Sequence, residues 1–237
     1  MATRNDSRFC SRGLYKAPVV ITKLPRWVEI GGFWLSCIAG SINAIGLLGF
    51  KYQAVSHLTG TSTLLGVSLA AANLFDCAHL LGITLAFVFG AAVAGALVGN
   101  AALQLGRRYG IALVLESLLL LAAMFALLST DSTSGHLLAS AACGLQNGMV
   151  STYSGAVVRT THVSGLFTDL GTMLGTWFRG HPFNSRQAIL YLLLIVGFVL
   201  GGIIGAFLFE RYQFHAMLFP ALGALALAAI YWVLGNP

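Results

Sequence analysis

Two histidines stand ahead of matching hydroxyl and glycine residues: His57-Leu58-Thr59-Gly60 and His162-Val163-Ser164-Gly165. A neutral imidazole, with a pKa near physiological pH, can donate a hydrogen bond to a guest or shuttle a proton. At a membrane edge the same residue is an ordinary solvated side chain. An amide precedes each turn: Asn43 lies three residues after Gly40, and Asn147, with Gln146 beside it, three after Gly144. An amide buried in apolar sequence must find partners, so each is expected to face the bundle interior, as interhelical glue, as pore lining, or as both. Thr63 and Thr168 follow the turns, then Leu65-Gly66 and Leu170-Gly171. Matching positions lie 104 or 105 residues apart, so one polar signature occurs twice. Repeated inside apolar sequence, it marks a duplicated membrane protein whose working site lies where the copies meet.

Thr59 and Ser164 are good N-cap residues, so each turn reads as a helix start. A helix that begins inside a membrane leaves up to four N–H groups unpartnered, and these must be buried in protein or line a wet cavity. The positive end of the dipole points there and favours an anionic or electron-rich guest. The expected site therefore comprises Asn43, His57, Thr59, Gly60, Thr63, Gln146, Asn147, His162, Ser164, Gly165 and Thr168. The alternative is a pair of interfacial loops capping ordinary short helices. Charges at membrane depth are few. Asp169 follows Thr168 where the first copy has Leu64, so one half carries an acid the other lacks; it is a candidate for proton or ion coupling, or simply a helix-start acid. Glu116 is the second coupling candidate, or else a partner of Arg107 or Arg108, and Glu29 reads as interfacial. No catalytic motif, metal-ligand spacing or cofactor fingerprint stands out, which argues against an enzyme, a metal and a cofactor. Cys10, Cys37, Cys77 and Cys143 form no disulfide framework.

The elements that must hold these residues follow from composition. The chain is 57% hydrophobic and 8% charged, against roughly 25% charged in a soluble domain. That places it in a membrane. The net charge of +6 is no nucleic-acid signal, because Arg4, Arg8, Arg12, Lys16, Lys23 and Arg26 all precede the first apolar span. Residues 1–28 are expected to be a cytoplasmic basic tail ahead of an uncleaved anchor helix, in a bacterial inner membrane. Repeat 1 then occupies 29–130 and repeat 2 131–237. Apolar segments run roughly 29–50, 60–75, 78–106, 110–129, 136–158, 165–178, 187–209 and 213–235. Six have about the 20 residues that cross a bilayer, whereas the two carrying the polar turns are too short.

Two topologies compete. If all eight segments cross, Arg179 and Arg186 face the cytoplasm while Lys51, Arg107, Arg108, Arg159 and Arg211 face outside, two against five. If the short segments are broken or re-entrant, the count reverses to five against two. The positive-inside rule favours the second. The expected fold is an all-α polytopic membrane protein of two inverted repeats, with six long transmembrane helices plus two short broken or re-entrant ones. Small residues four apart mark the packed seams: Gly95 with Gly99 matched to Gly201 with Gly205, and Gly66 with Ala70 matched to Gly171 with Gly175. Arg108-Tyr109 likewise matches Arg211-Tyr212.

At Gly40-x-x-Asn43, Ser56-His57-Leu58-Thr59-Gly60-Thr61, Gly144-Leu145-Gln146-Asn147 and Thr161-His162-Val163-Ser164-Gly165 the chain resembles the YoaK family of bacterial inner-membrane proteins, built around a domain of unknown function. The likeness covers nearly everything after the basic tail. That family often has an acid where Asn43 stands and Asn where Thr61 stands. The resemblance implies a polytopic inner-membrane protein and supplies no substrate. The short helices with polar turns look, by architecture alone, like those of aquaporin-type and formate-type channels. The expected role is passage of a small polar or anionic solute, as a channel or proton-linked carrier. The alternatives are a membrane scaffold or sensor that binds a lipid or protein partner and, more weakly, an intramembrane enzyme. Expected partners are the solute and the lipid bilayer, with a homo-oligomer left open.

Overall fold

The computed structural model describes residues 26–49, 55–99, 107–129, 131–154 and 160–234. Among them the chain forms α1 (Arg26–Gly49), α2 (Leu58–Ala70), α3 (Leu74–Val98), α4 (Arg107–Leu128), α5 (Ser132–Ser154), α6 (Val163–Phe178), α7 (Ser185–Tyr212) and α8 (Leu218–Leu234), with a 3-10 turn, Gln213–Met217, joining the last two. No strand occurs among the described residues. The basic tail lies almost wholly outside them, as do Lys51, Cys10 and Arg159.

Four helical stretches are long and apolar enough to cross a membrane: Val28–Gly49, Leu74–Val98, Arg107–Leu128 and Ser185–Val233. The last holds 49 residues across α7, the 3-10 turn and α8; at 1.5 Å per residue this is more than twice the ~30 Å hydrocarbon core, so the turn is an elbow. Helix α5 is less apolar because protein surrounds it. His136, Ser140, Gln146 and Asn147 are all buried along it, and a helix enclosed by other helices needs no lipid-compatible face. Outward positions are apolar instead, as at Leu85, Phe89, Phe125, Ile203 and Phe207. The protein is an all-α polytopic membrane protein.

Side chains and glycines close the helix ends. Asn73 accepts from Asp76 N at 3.2 Å and Asn184 from Gln187 N at 3.2 Å, opening α3 and α7 alike. Gly99 ends α3 with φ +58°, where a side chain would be strained. Asp131 opens α5, accepting from Ser134 N at 3.0 Å. The Ser134 side chain and amide hold this carboxyl below the usual carboxylate range. A lowered folded-state pKa contributes stability above the unfolded value, near ~3.9, and that contribution fades as pH falls through the folded value. Amide exchange at Ser134 is therefore expected to lose protection only below about pH 3.9, and Asp131→Asn to remove that pH dependence.

Two seams hold the bundle. Along the first, a Cβ added to Gly197 or Gly205 would lie 2.6 Å from the carbonyl oxygen of Phe33 or Ser41, and one on Gly201 would run into Cys37 O. The contacts advance four residues at a time on both helices, so α1 and α7 run parallel. Along the second, Ser140 donates to Ile83 O at 2.9 Å, while Gly144 lies on Phe87 O and Gly148 on Ala91. So α3 and α5 also run parallel. Gly40 and Gly90 close the two seams from the other helix, against Phe198 O and Ala141 O. Lipid supplies no hydrophobic drive between helices, so this backbone approach does the holding, with Cα–H···O contacts on the order of 0.5–1 kcal/mol each.

Other contacts fix the remaining directions. Gly31 abuts Tyr231 and Gly223 abuts Ile38, so α8 runs against α1. Gly135 abuts Leu127, so α5 runs against α4, and Gly110, early in α4, faces Ala228 and Trp232, late in α8. Glu29 and Arg186 form an ion pair at 3.3 Å, joining the starts of α1 and α7. Thus α1, α4 and α7 run one way and α3, α5 and α8 the other.

Several expected seam residues are corrected. A Cβ on Gly66, Gly95, Gly171 or Gly175 meets nothing within 4 Å, because those glycines face outward. The partner of Gly201 in the first half is Gly90, not Gly95. Arg108-Tyr109 opens α4 whereas Arg211-Tyr212 ends α7, so that match is not structural.

Candidate functional site

The two polar turns take nearly the same backbone shape. His57 precedes α2 with φ −85°, ψ 65°, and His162 precedes α6 with φ −95°, ψ 59°. They occupy the N-cap positions without capping through their side chains. This corrects the expectation for Thr59 and Ser164. The helices begin one residue before those hydroxyls, because the carbonyls of His57 and His162 already accept from Thr61 N at 3.0 Å and Leu166 N at 3.3 Å. Among the described residues, the first-turn amides of Thr59, Gly60, Val163 and Ser164 have no hydrogen-bond partner.

Both turns open onto one cavity of about 420 Å³. Ser56, His57, Leu58 and Thr59 line it from the first turn, and Thr161, His162, Val163 and Ser164 from the second. Phe87 of α3 and Phe198 of α7 face it, and Gly40, Asn43, Ala44 and Leu47 of α1 with Gly202 of α7 complete the wall. No lining side chain carries a formal charge unless a histidine is protonated. The wall is chiefly apolar, with a few amides, hydroxyls and imidazoles to orient a guest, the usual make-up of a small-molecule site.

Asn43 latches the first turn. Its amide nitrogen donates to Ser56 Oγ at 2.7 Å and Ala39 O at 2.8 Å, while its oxygen accepts from Ser56 N at 3.0 Å. Asn147, at the matching place, leaves its oxygen buried and unpartnered. The second turn reaches its histidine one residue later, so Thr161 does not meet the amide as Ser56 does. Asn43→Ala strands the buried Ser56 amide and is expected to cost about 1–3 kcal/mol. Asn147→Ala breaks no such latch and should cost less. Unfolding midpoints of the two variants in detergent check the difference.

Of the expected site residues, Asn43, His57, Thr59, His162 and Ser164 reach the cavity. Thr63 and Thr168 are exposed, and each hydroxyl donates back to the carbonyl four residues earlier at 3.0 Å. Gly60 makes room for the His57 ring, whose Nδ1 would sit 2.6 Å from an added Cβ, and Gly165 borders open space. Gln146 donates to Leu35 O at 2.9 Å, across to α1. Asp169 lies on the exposed face of α6, away from the cavity lining. Glu116 is fully buried on α4 with neither carboxylate oxygen partnered, so the pairing with Arg107 or Arg108 is not made.

Phe87, Phe198 and Gly202 were outside the expected set. The two phenylalanines lie 111 residues apart rather than the 105 that separates the two histidines, because α6 is three residues longer than α2 and the connection after it three residues longer than its counterpart. A search that let the offset drift along the repeat finds them.

A family described as a protein of unknown function (DUF1275) matches residues 31–230. No curated protein and no solved structure matches the chain.

Proposed function

The chain belongs to the DUF1275 family, and we propose that it passes a small polar solute, uncharged or singly anionic, through a central site between two inverted repeats. The observation that carries this reading is the shared cavity, with both polar turns and both unpartnered helix starts in its lining. Helix starts there favour an electron-rich guest. The absence of a fixed charge from the lining leaves an anion held by dipoles, hydroxyls and imidazoles alone, weakly enough to leave again.

The opposed helix directions support inversion. The order α1, α3, α4 in one half runs opposite in sense to α5, α7, α8 in the other. On this reading α2 and α6 are half-spanning helices that rise from the centre toward opposite faces; 13 residues reach ~20 Å and 16 ~24 Å. Arg107, Arg108 and Arg186 share an end with the start of α1, and Arg211 lies at the other. By the positive-inside rule that first end is cytoplasmic, which suits a bacterial inner membrane and a cytoplasmic tail. The role is transport rather than catalysis, as a channel or carrier.

A second reading, a scaffold that assembles without transporting, draws on the open glycines of α2 and α6, where another helix or a second copy would fit. The deciding experiment is light-scattering swelling of proteoliposomes with urea, glycerol and formate outside. Transport predicts swelling faster than in protein-free vesicles for at least one solute. Identical rates for all of them favour the scaffold.

A further inference from the structure

Glu116 sits fully buried in the seam between α4 and α5, with both oxygens unpartnered. Across the seam, Cys143 of α5 lies close enough to feel its charge. Gln146 lies one turn further along α5, on the same face as Cys143. Its Nε2 donates to Leu35 O on α1 at 2.9 Å, while its Oε1 is buried and unpartnered. Gln146 thus ties α5 to α1 from the face of α5 that carries Cys143, with one acceptor still open.

The elements packed against α4 are α3, α5, α8 and the 3-10 turn. Among the described side chains their titratable groups are Asp76, Cys77 and His79 at the start of α3, His136 and Cys143 on α5, Tyr231 on α8 beside Tyr109, and His215 in the turn, while α4 itself carries Arg107 and Arg108 at its start. Neither α5 nor α8 contains a lysine or arginine. Among the described residues no cation lies within ion-pair distance of Glu116, so the neutral acid is the form its surroundings accommodate. Helix α8, which holds the place of α4 in the second half, has no acid at all.

We propose that Glu116 is a reversible proton-binding site, and that Gln146 relays loss of its proton to the crossing of α1 and α5. As the acid, Glu116 supplies an O–H that the free Gln146 Oε1 can accept. As the carboxylate, it needs donors, and the Gln146 amide and the Cys143 thiol are the ones at hand. Turning the Gln146 amide toward the carboxylate releases Leu35 O and loosens that crossing. The proton leaves to water, and one negative charge stays in the seam. The link to transport rests on the function proposed above; the proton site and the relay do not.

Infrared spectroscopy of the full chain in liposomes tests the proton site without a solute. Wild type is expected to keep one carboxylic-acid carbonyl band at neutral pH that disappears reversibly in alkali, and Glu116→Gln is expected to lack it. No such band in wild type, or the same band in Glu116→Gln, overturns the site; the wild-type titration decides even if the variant does not fold. Spin-label distances between the outer faces of α1 and α5 test the relay. They should change with pH in wild type and stay fixed in Gln146→Leu, which keeps the band. A pH-dependent distance retained in Gln146→Leu overturns the relay. Swelling without the band defeats this inference alone, and the band without swelling defeats only the transport reading.

Discussion

Valine at Gly40 or Gly144 should leave little folded, monodisperse protein in detergent, whereas alanine at Gly95 or Gly171 should leave the fold intact. A Cβ at Gly40 runs into Phe198 O, and one at Gly144 into Phe87 O. The obstacle in each case is backbone, which has no rotamer to move aside. Overpacking of an ordinary core costs about 1–3 kcal/mol, occasionally more. Here relief requires a whole helix to withdraw from the seam and give up its neighbouring contacts, so the cost lies at the upper end or beyond. Against a net stability of about 5–15 kcal/mol, that is a large share. Gly95 and Gly171 have open space where a Cβ would go, and alanine there should gain about 0.5–1 kcal/mol of helix preference. Size-exclusion profiles and unfolding midpoints of the four variants compare the two classes. Equal tolerance at Gly40 and Gly95 contradicts the seam assignment.

Tryptophan at Gly202 should abolish solute passage while the protein still folds. Gly202 lines the cavity, and an added Cβ meets nothing nearer than Gly40 O at 4.0 Å. A side chain grown from this position therefore enters the cavity without first striking backbone. Tryptophan would fill much of the space between the two turns and cover the hydroxyls and imidazoles that orient a guest. The expected loss is tenfold or more in swelling rate, equivalent to about 1.4 kcal/mol or more, with Gly202→Ala close to wild type. Swelling of Gly202→Trp at the wild-type rate would remove the cavity from the path.

The duplicated turns made much of this site legible. His57 and His162, spaced like their neighbours, announced two equivalent helix starts, and the shortness of the apolar segments behind them matches the short α2 and α6. Gly201 and Gly205 were rightly read as a seam, since small residues four apart put a bare stripe on one helix face. Their partner was harder to see. A nearly constant spacing pairs Gly201 with Gly95, but the longer α6 and its longer connection shift the register, so the packed glycine is Gly90. Spacing also does not say which face of a short helix turns inward. Thr63, Thr168 and Asp169 share the motif yet face out, because the first helical turn alone borders the cavity. Glu116 was visible as an acid in an apolar helix, but its isolation was not. The lack of a partner depends on what α5 and α8 bring beside it, and no local pattern encodes that.

The central claim, that the space between the two turns is a wet path and not a sealed joint, is tested most directly by thiol accessibility. Thr59→Cys, in a chain whose four native cysteines are replaced, places one thiol on the cavity wall. A small membrane-impermeant thiol reagent is added to oriented vesicles from one face at a time. The account predicts modification from both faces, slowed by Gly202→Trp. A thiol that reacts from neither face, in protein that folds normally, would contradict it.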